Sequence, residues 1–167
     1  ALKITSDTFL LKISKDSIDA PVSYEAEDSV VVLALEKKVL LYGKTVTKYK
    51  EIELKAPQTE LNQETQILTA YNKSDSTGTI IERANFKEGE NAFSSDTIRY
   101  NFKTQRGLTK NTHTMQGEIH LQGNEMKRIG DIIFARNGVI TTCTLDEPHF
   151  GFRYDKIKLI NKKVAVT

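Results

Sequence analysis

Apolar side chains recur at every second position in run after run of this chain, among them Ile52, Leu54 and Ala56, then Ile98, Tyr100 and Phe102, then Phe150, Phe152 and Tyr154. A period of two is the mark of a strand with one face buried and the other wet. Between the runs stand residues that break regular structure: Ala20-Pro21, Tyr42-Gly43, Ala56-Pro57, Ser76-Thr77-Gly78, Lys87-Glu88-Gly89, Arg106-Gly107 and Asn137-Gly138. Their spacing predicts many short strands joined by tight turns. The segment Leu33-Ala34-Leu35-Glu36-Lys37-Lys38 consists of good helix formers, but it is short and follows the strand-favouring Ser29-Val30-Val31-Val32. The chain reads as all-β.

Ile18-Asp19-Ala20-Pro21 is echoed by Leu54-Lys55-Ala56-Pro57, and Val30-Val31-Val32 by Gln66-Ile67-Leu68, at one constant offset. Stacked strand layers, each covering the apolar face of the next, produce such an echo. The most loop-like interval is Asn72 to Gly78, which is expected to lie within one domain rather than between two.

A chain of 167 residues has the length of a single domain, expected here to span 1–167. With 38% hydrophobic residues and 24 basic against 22 acidic side chains, it is globular rather than disordered. The net charge of +2 gives no sign of a nucleic-acid partner. No window reaches the roughly 18 consecutive apolar residues of a membrane helix. Any signal peptide or membrane part is therefore expected outside these residues.

Candidate chemistry is sparse. His113 and His120 fall in one alternating segment, and their separation of seven residues would put them on opposite faces of a regular strand, which disfavours a shared metal. Cys143 and His149, with Asp146 or Glu147 beside them, have the residue types of a thiol nucleophile and its base, though without a distinctive spacing. Phosphate-cradling glycine loops, paired cysteines, HExxH and nucleophile elbows are all missing from the sequence. Lys37-Lys38 and Lys162-Lys163 read as solvated turns, and Asn72-Lys73-Ser74 has the form of a glycosylation acceptor. Neither a catalytic site, a metal nor a cofactor is expected.

More specific text lies in the second half. Asp96 to Leu108, with Tyr100 and Asn101 before a polar turn ending at Gly107, is followed by Gly117-Glu118, by Asp131 to Phe134, by Gly138-Val139-Ile140-Thr141-Thr142-Cys143 and by Pro148-His149-Phe150. This ordered series resembles the LptD/OstA family, particularly members from Bacteroidetes-like bacteria. In the first half, Asp16-Ser17-Ile18, Val39 to Gly43 and Tyr49 to Ala56 are similar to OstA-type repeats.

The resemblance implies a V-shaped antiparallel strand stack, a β-taco or β-jelly roll, at the periplasmic face of a bacterial outer membrane. It implies a non-enzymatic carrier of lipopolysaccharide, excised from a longer protein with a C-terminal β-barrel. Its apolar groove would hold acyl chains, with Ile52, Leu54, Ile98, Tyr100, Phe102, Phe150 and Phe152 pointing inward along it. Cys143 matches a cysteine that in relatives is disulfide-bonded to the barrel domain, whereas Phe150 stands where some relatives have tryptophan. An OstA-like bridge protein is expected to add its strand near Thr8 to Ile13 and Val39 to Tyr49. The competing readings are a side-chain-filled structural or protein-binding β-sandwich and, more remotely, a cysteine hydrolase.

Overall fold

A computed structural model describes residues 20–89, 91–130, 132–145, 148–160 and 164–166. The strands are β1 (Ser23–Glu25), β2 (Ser29–Leu33), β3 (Lys38–Tyr49), β4 (Ile52–Asn62), β5 (Ile67–Tyr71), β6 (Lys73–Ser74), β7 (Ile80–Glu82) and β8 (Ala84–Glu88). They continue with β9 (Asn91–Ser95), β10 (Thr97–Asn101), β11 (Arg106–Gln116), β12 (Ile119–Ile129), β13 (Ile132–Thr141), β14 (Phe152–Ile160) and β15 (Val164–Val166). All but the β6–β7 hairpin join one antiparallel sheet of 13 strands. The segment with helix-forming residues is a turn between β2 and β3, because Leu35 has no apolar surface to meet and stands in solvent.

The large sheet is folded along a line that crosses it. In β3 the register shifts between Tyr42 and Thr45, so Gly43 and Lys44 stand opposite Pro57 of β4. Two residues against one make a β-bulge, and proline has no N–H to lose there. Farther along, Asn111, Asn124, Asn137 and Asp155 are left out of otherwise continuous ladders between β11, β12, β13 and β14. Asn111 and Asn137 hold φ of 48°, a left-handed conformation that asparagine tolerates better than most residues. Two arms result. The first carries β2, β5, β10 and β15, the second β1, β8 and β9, and the long strands run through both.

Short polar side chains satisfy one another where the ladders break. The Thr45 hydroxyl donates to the Ala56 carbonyl at 2.9 Å and meets Thr59 Oγ1 at 2.6 Å. Ser95 donates to Thr112, which also meets Thr109. Asp96, at the break between β9 and β10, accepts from Arg83 Nε at 3.0 Å and from Asn111 Nδ2 at 2.7 Å. These bonds replace the ladder contacts that the crease removes.

Two predicted details change. Gly43, Pro57 and Asn137, read as strand ends, are creases inside strands. Strand β3 is also no edge: β1 covers its second half, β2 its first, and β4 its other side. The open edges that the described residues offer at this end are therefore those of β1 and β2; Thr8 to Ile13 lies outside them.

Candidate functional site: the interior of the V

Cross-strand partners share a face, so each inner surface can be followed strand by strand. On the second arm the row runs Tyr24, Thr47, Leu54, Phe86, Phe93, Thr114, Leu121, Ile140, Phe152. On the first it runs Val39, Leu61, Leu68, Tyr100, Gly107, Arg128, Ile133, Leu159. Both rows are buried at their amino-terminal ends and more open beyond, with Phe93, Thr114, Ile140, Gly107, Arg128, Ile133 and Leu159 half-buried, Leu121 buried and Phe152 exposed.

The amino-terminal half is filled. Ile52, Leu54, Ile98, Tyr100 and Phe102 all belong to one buried cluster with Tyr49, Phe86 and their neighbours. Tyr49 packs edge-on against Phe102 at 4.9 Å between ring centres, and Phe102 against Tyr100 at 5.3 Å. Only about 10 Å³ remains free among these side chains, room for about one water. Burial pushes the Tyr100 hydroxyl pKa up; Glu88 adds to the rise and Arg128 opposes it.

Beyond this plug, the carboxyl-terminal half holds a second, smaller cluster of Leu121, Met126, Ala135, Tyr154 and Ile157, with Ile140 and Leu159 partly covered beside it. At the junction, Arg128 of the first arm pairs with Glu88 of the second, spanning the mouth of the V over Gly107. The half-exposed Phe93, Ile140, Ile133 and Leu159 form an apolar trough past that strut. Phe152 continues it at 82% exposure.

The seven residues expected to line a groove therefore divide. Five are packed core. Phe152 is on the inner face but unburied, and Phe150 lies in a bend ahead of β14, exposed at 60%. Ile133, Ile140 and Leu159 went unnoticed in the sequence, because the odd spacing of Ile133 and Ile140 across the Asn137 crease hides that both face inward.

Tyr154 anchors the trough. Its ring lies over Gly123 and Gly138, and its hydroxyl donates to the Gln122 carbonyl at 2.7 Å. Burial pushes its pKa up to about 12, whereas an unfolded tyrosine ionises near 10. Between those values the unfolded chain releases a proton that the folded chain keeps. Tyr154 thus contributes full stability below about pH 10, lost as pH rises towards about 12. Urea midpoints measured across that range should show Tyr154→Phe with a shallower alkaline decline than wild type.

The histidine expectation is corrected. A turn at Gly117-Glu118 separates His113 on β11 from His120 on β12, and Met115 pairs with His120 while His113 pairs with Gln122. Both imidazoles thus face the same side, lining an outer cleft of about 430 Å³ with Lys55, Lys87 and Met115. Among the described residues no three His, Cys, Asp or Glu side chains are grouped to hold a metal ion. Cys143 is buried, its Sγ 3.9 Å from His149 Nδ1. Asp146 and Glu147 lie outside the described residues.

The chain superposes on LptH, described as the LptA-homologous periplasmic component of the lipopolysaccharide transport device of Pseudomonas aeruginosa. The TM-score is 0.59 at 16% identity, covering 80% of this chain and 94% of LptH. The two chains share a fold. That fold, an LptA-like β-jelly roll, is the V-shaped antiparallel strand stack expected from the sequence. No known family model matches the sequence, and no curated protein does.

Proposed function

We propose that this chain is a non-enzymatic periplasmic carrier that shields lipopolysaccharide acyl chains in the carboxyl-terminal trough of its V. The observation that carries the reading is the change along the inner face from a filled core to a half-exposed apolar row through Phe93, Ile140 and Phe152. Apolar surface held open to solvent in a fold shared with a lipopolysaccharide-transport component suits an acyl ligand. Removing that ligand from water contributes about 25 cal/mol per Å². Titration of a fluorescent lipid A analogue should give saturable binding; an unchanged probe signal would defeat the reading.

Several finer features go with this proposal. The chain would be the amino-terminal, OstA-like part of an LptD-type outer-membrane protein, preceding a β-barrel. A bridge protein of similar fold would add its strand to the open edge of β1 or β2. Cys143 would pair with a cysteine beyond residue 167 in the oxidising periplasm, replacing its contact with His149. Mass spectrometry of the unreduced full-length protein is expected to find Cys143 in a disulfide-linked peptide, and a uniformly free thiol would remove this feature alone.

A side-chain-filled structural or protein-binding sandwich is the second reading, favoured by the packing around Tyr49, Tyr100 and Phe102. It accounts for the plug. It leaves the exposed row beyond the Glu88–Arg128 strut without a role.

A further inference from the structure

The outer face of the first arm, on the opposite side of the sheet from the trough, has a composition of its own. Following outward partners across β10 to β14 gives Arg99, Leu108, Lys127, Phe134 and Lys158 in one row. A second row gives Lys110, Glu125, Arg136 and Lys156. These two rows thus hold six cations and one carboxylate, although the whole chain nets only +2. Among the described residues none of the six is in an ion pair; Glu125 sits between Lys110 and Arg136 and bridges neither. Their charge is available to a partner.

Apolar side chains are set among them. Leu108 and Phe134 are 43% and 39% exposed, with the Lys158 ammonium 5.8 Å from the Phe134 ring centre. Farther along the same face, Ile129, Ile132 and Ile160 form a half-buried row in register. Cations spread in two dimensions around aliphatic groups complement a surface with negative charge outside and hydrocarbon just beneath. Lysine and arginine stems can lie on the apolar layer while their heads stay with the phosphates. A nucleic acid would match the charge and leave the isoleucine row and Leu108 without a partner.

We propose that this face docks on an anionic phospholipid bilayer, holding the trough on the other side of the sheet free for its own ligand. Arg99, Lys110, Lys127, Arg136, Lys156 and Lys158 supply the attraction, and Leu108, Phe134 and the isoleucines enter the interface. The surface is separate from the trough, so the two assignments stand or fall independently.

Co-sedimentation of the full chain with vesicles tests it, using phosphatidylcholine alone and phosphatidylcholine mixed with phosphatidylglycerol. Binding is expected only to the mixed vesicles and should vanish at about 1 M salt, where the screening length is about 3 Å. A cation near an anionic surface contributes about 1 kcal/mol, so K127Q/K158Q should weaken binding about 25-fold. K55Q/K87Q, on the outer face of the other arm, should match wild type, with thermal midpoints confirming that each variant folds. F134A should weaken binding a few-fold without altering the salt dependence. Equal binding to neutral vesicles, no binding to either, or equal loss in the two lysine pairs would overturn the proposal. So would a labelled DNA duplex held through Lys127 and Lys158 while vesicles are not. Unchanged vesicle binding by I140E, beside altered lipid A binding, would separate this face from the trough.

Discussion

Ile140→Glu is expected to lower affinity for a lipid A probe about a hundredfold while the circular dichroism stays that of a β-protein. The figure follows from the ligand: an acyl chain that loses contact with roughly four methylenes gives up about 0.8 kcal/mol for each, or about 3 kcal/mol in all. The fold should survive because Ile140 is only half-buried, between Leu121 and Phe152 on the inner row. A carboxylate there can keep its water. Leu159→Glu, on the facing arm, should behave alike. Leu54→Glu and Phe102→Glu should instead unfold the chain, since both side chains are enclosed in the plug and an uncompensated buried charge costs several kcal/mol against a typical stability of about 5–15. The comparison separates the two readings of the interior. If Ile140→Glu binds the probe like wild type, the trough is not the lipid site; if Leu54→Glu folds and fails to bind, the plug is less closed than its packing indicates.

The sequence conveyed the fold class because period-two alternation depends only on which face is buried, and in β3, β4 and β10 that face is consistent along each arm. It conveyed the crease poorly. Gly43, Pro57 and Asn137 interrupt strand pairing as a turn residue does, and local chemistry does not distinguish a strand that ends from one that bends and continues. Only the partner strand decides, as when β14 continues past Asn137 and takes up the same register on both sides. The histidines failed for the complementary reason: parity along one strand was applied to two residues that a hairpin had put on different strands. The groove residues were half legible. Alternation identified Ile52, Leu54, Ile98, Tyr100 and Phe102 as inward, but whether an inward side chain meets another side chain or solvent depends on the facing arm. Here the facing arm brings aromatics at the amino-terminal end and Gly107, Ile133 and Leu159 farther on.

Gly138→Ala is expected to destabilise the chain by about 3 kcal/mol or more, far beyond the effect of an alanine at an ordinary strand position. A Cβ at Gly138 would lie 2.0 Å from the Gln122 carbonyl oxygen and 2.3 Å from the Tyr154 hydroxyl oxygen. The first contact is with backbone in the neighbouring strand and cannot be relieved by a rotamer. The second displaces the ring that covers Gly123 and Gly138 and breaks its 2.7 Å bond to the same carbonyl. Gly130→Ala is the control: its φ of 57° makes alanine unfavourable by about 1–2 kcal/mol, but nothing lies within 4 Å of the added carbon. Combining Gly138→Ala with Tyr154→Ala should cost less than the sum of the two single losses, by the part of the clash that the ring makes, while the backbone clash persists. Urea denaturation of the four chains gives the cycle directly, with a coupling expected in the range of about 0.5–3 kcal/mol. Because Tyr154 and Ile140 pack in one region of the second cluster, Gly138→Ala should also loosen the trough and weaken lipid A binding at temperatures where the chain remains folded. A Gly138→Ala chain as stable as wild type, or losses that add with no coupling, would show that Tyr154 is not seated on the paired glycines and that something else shapes that end of the trough.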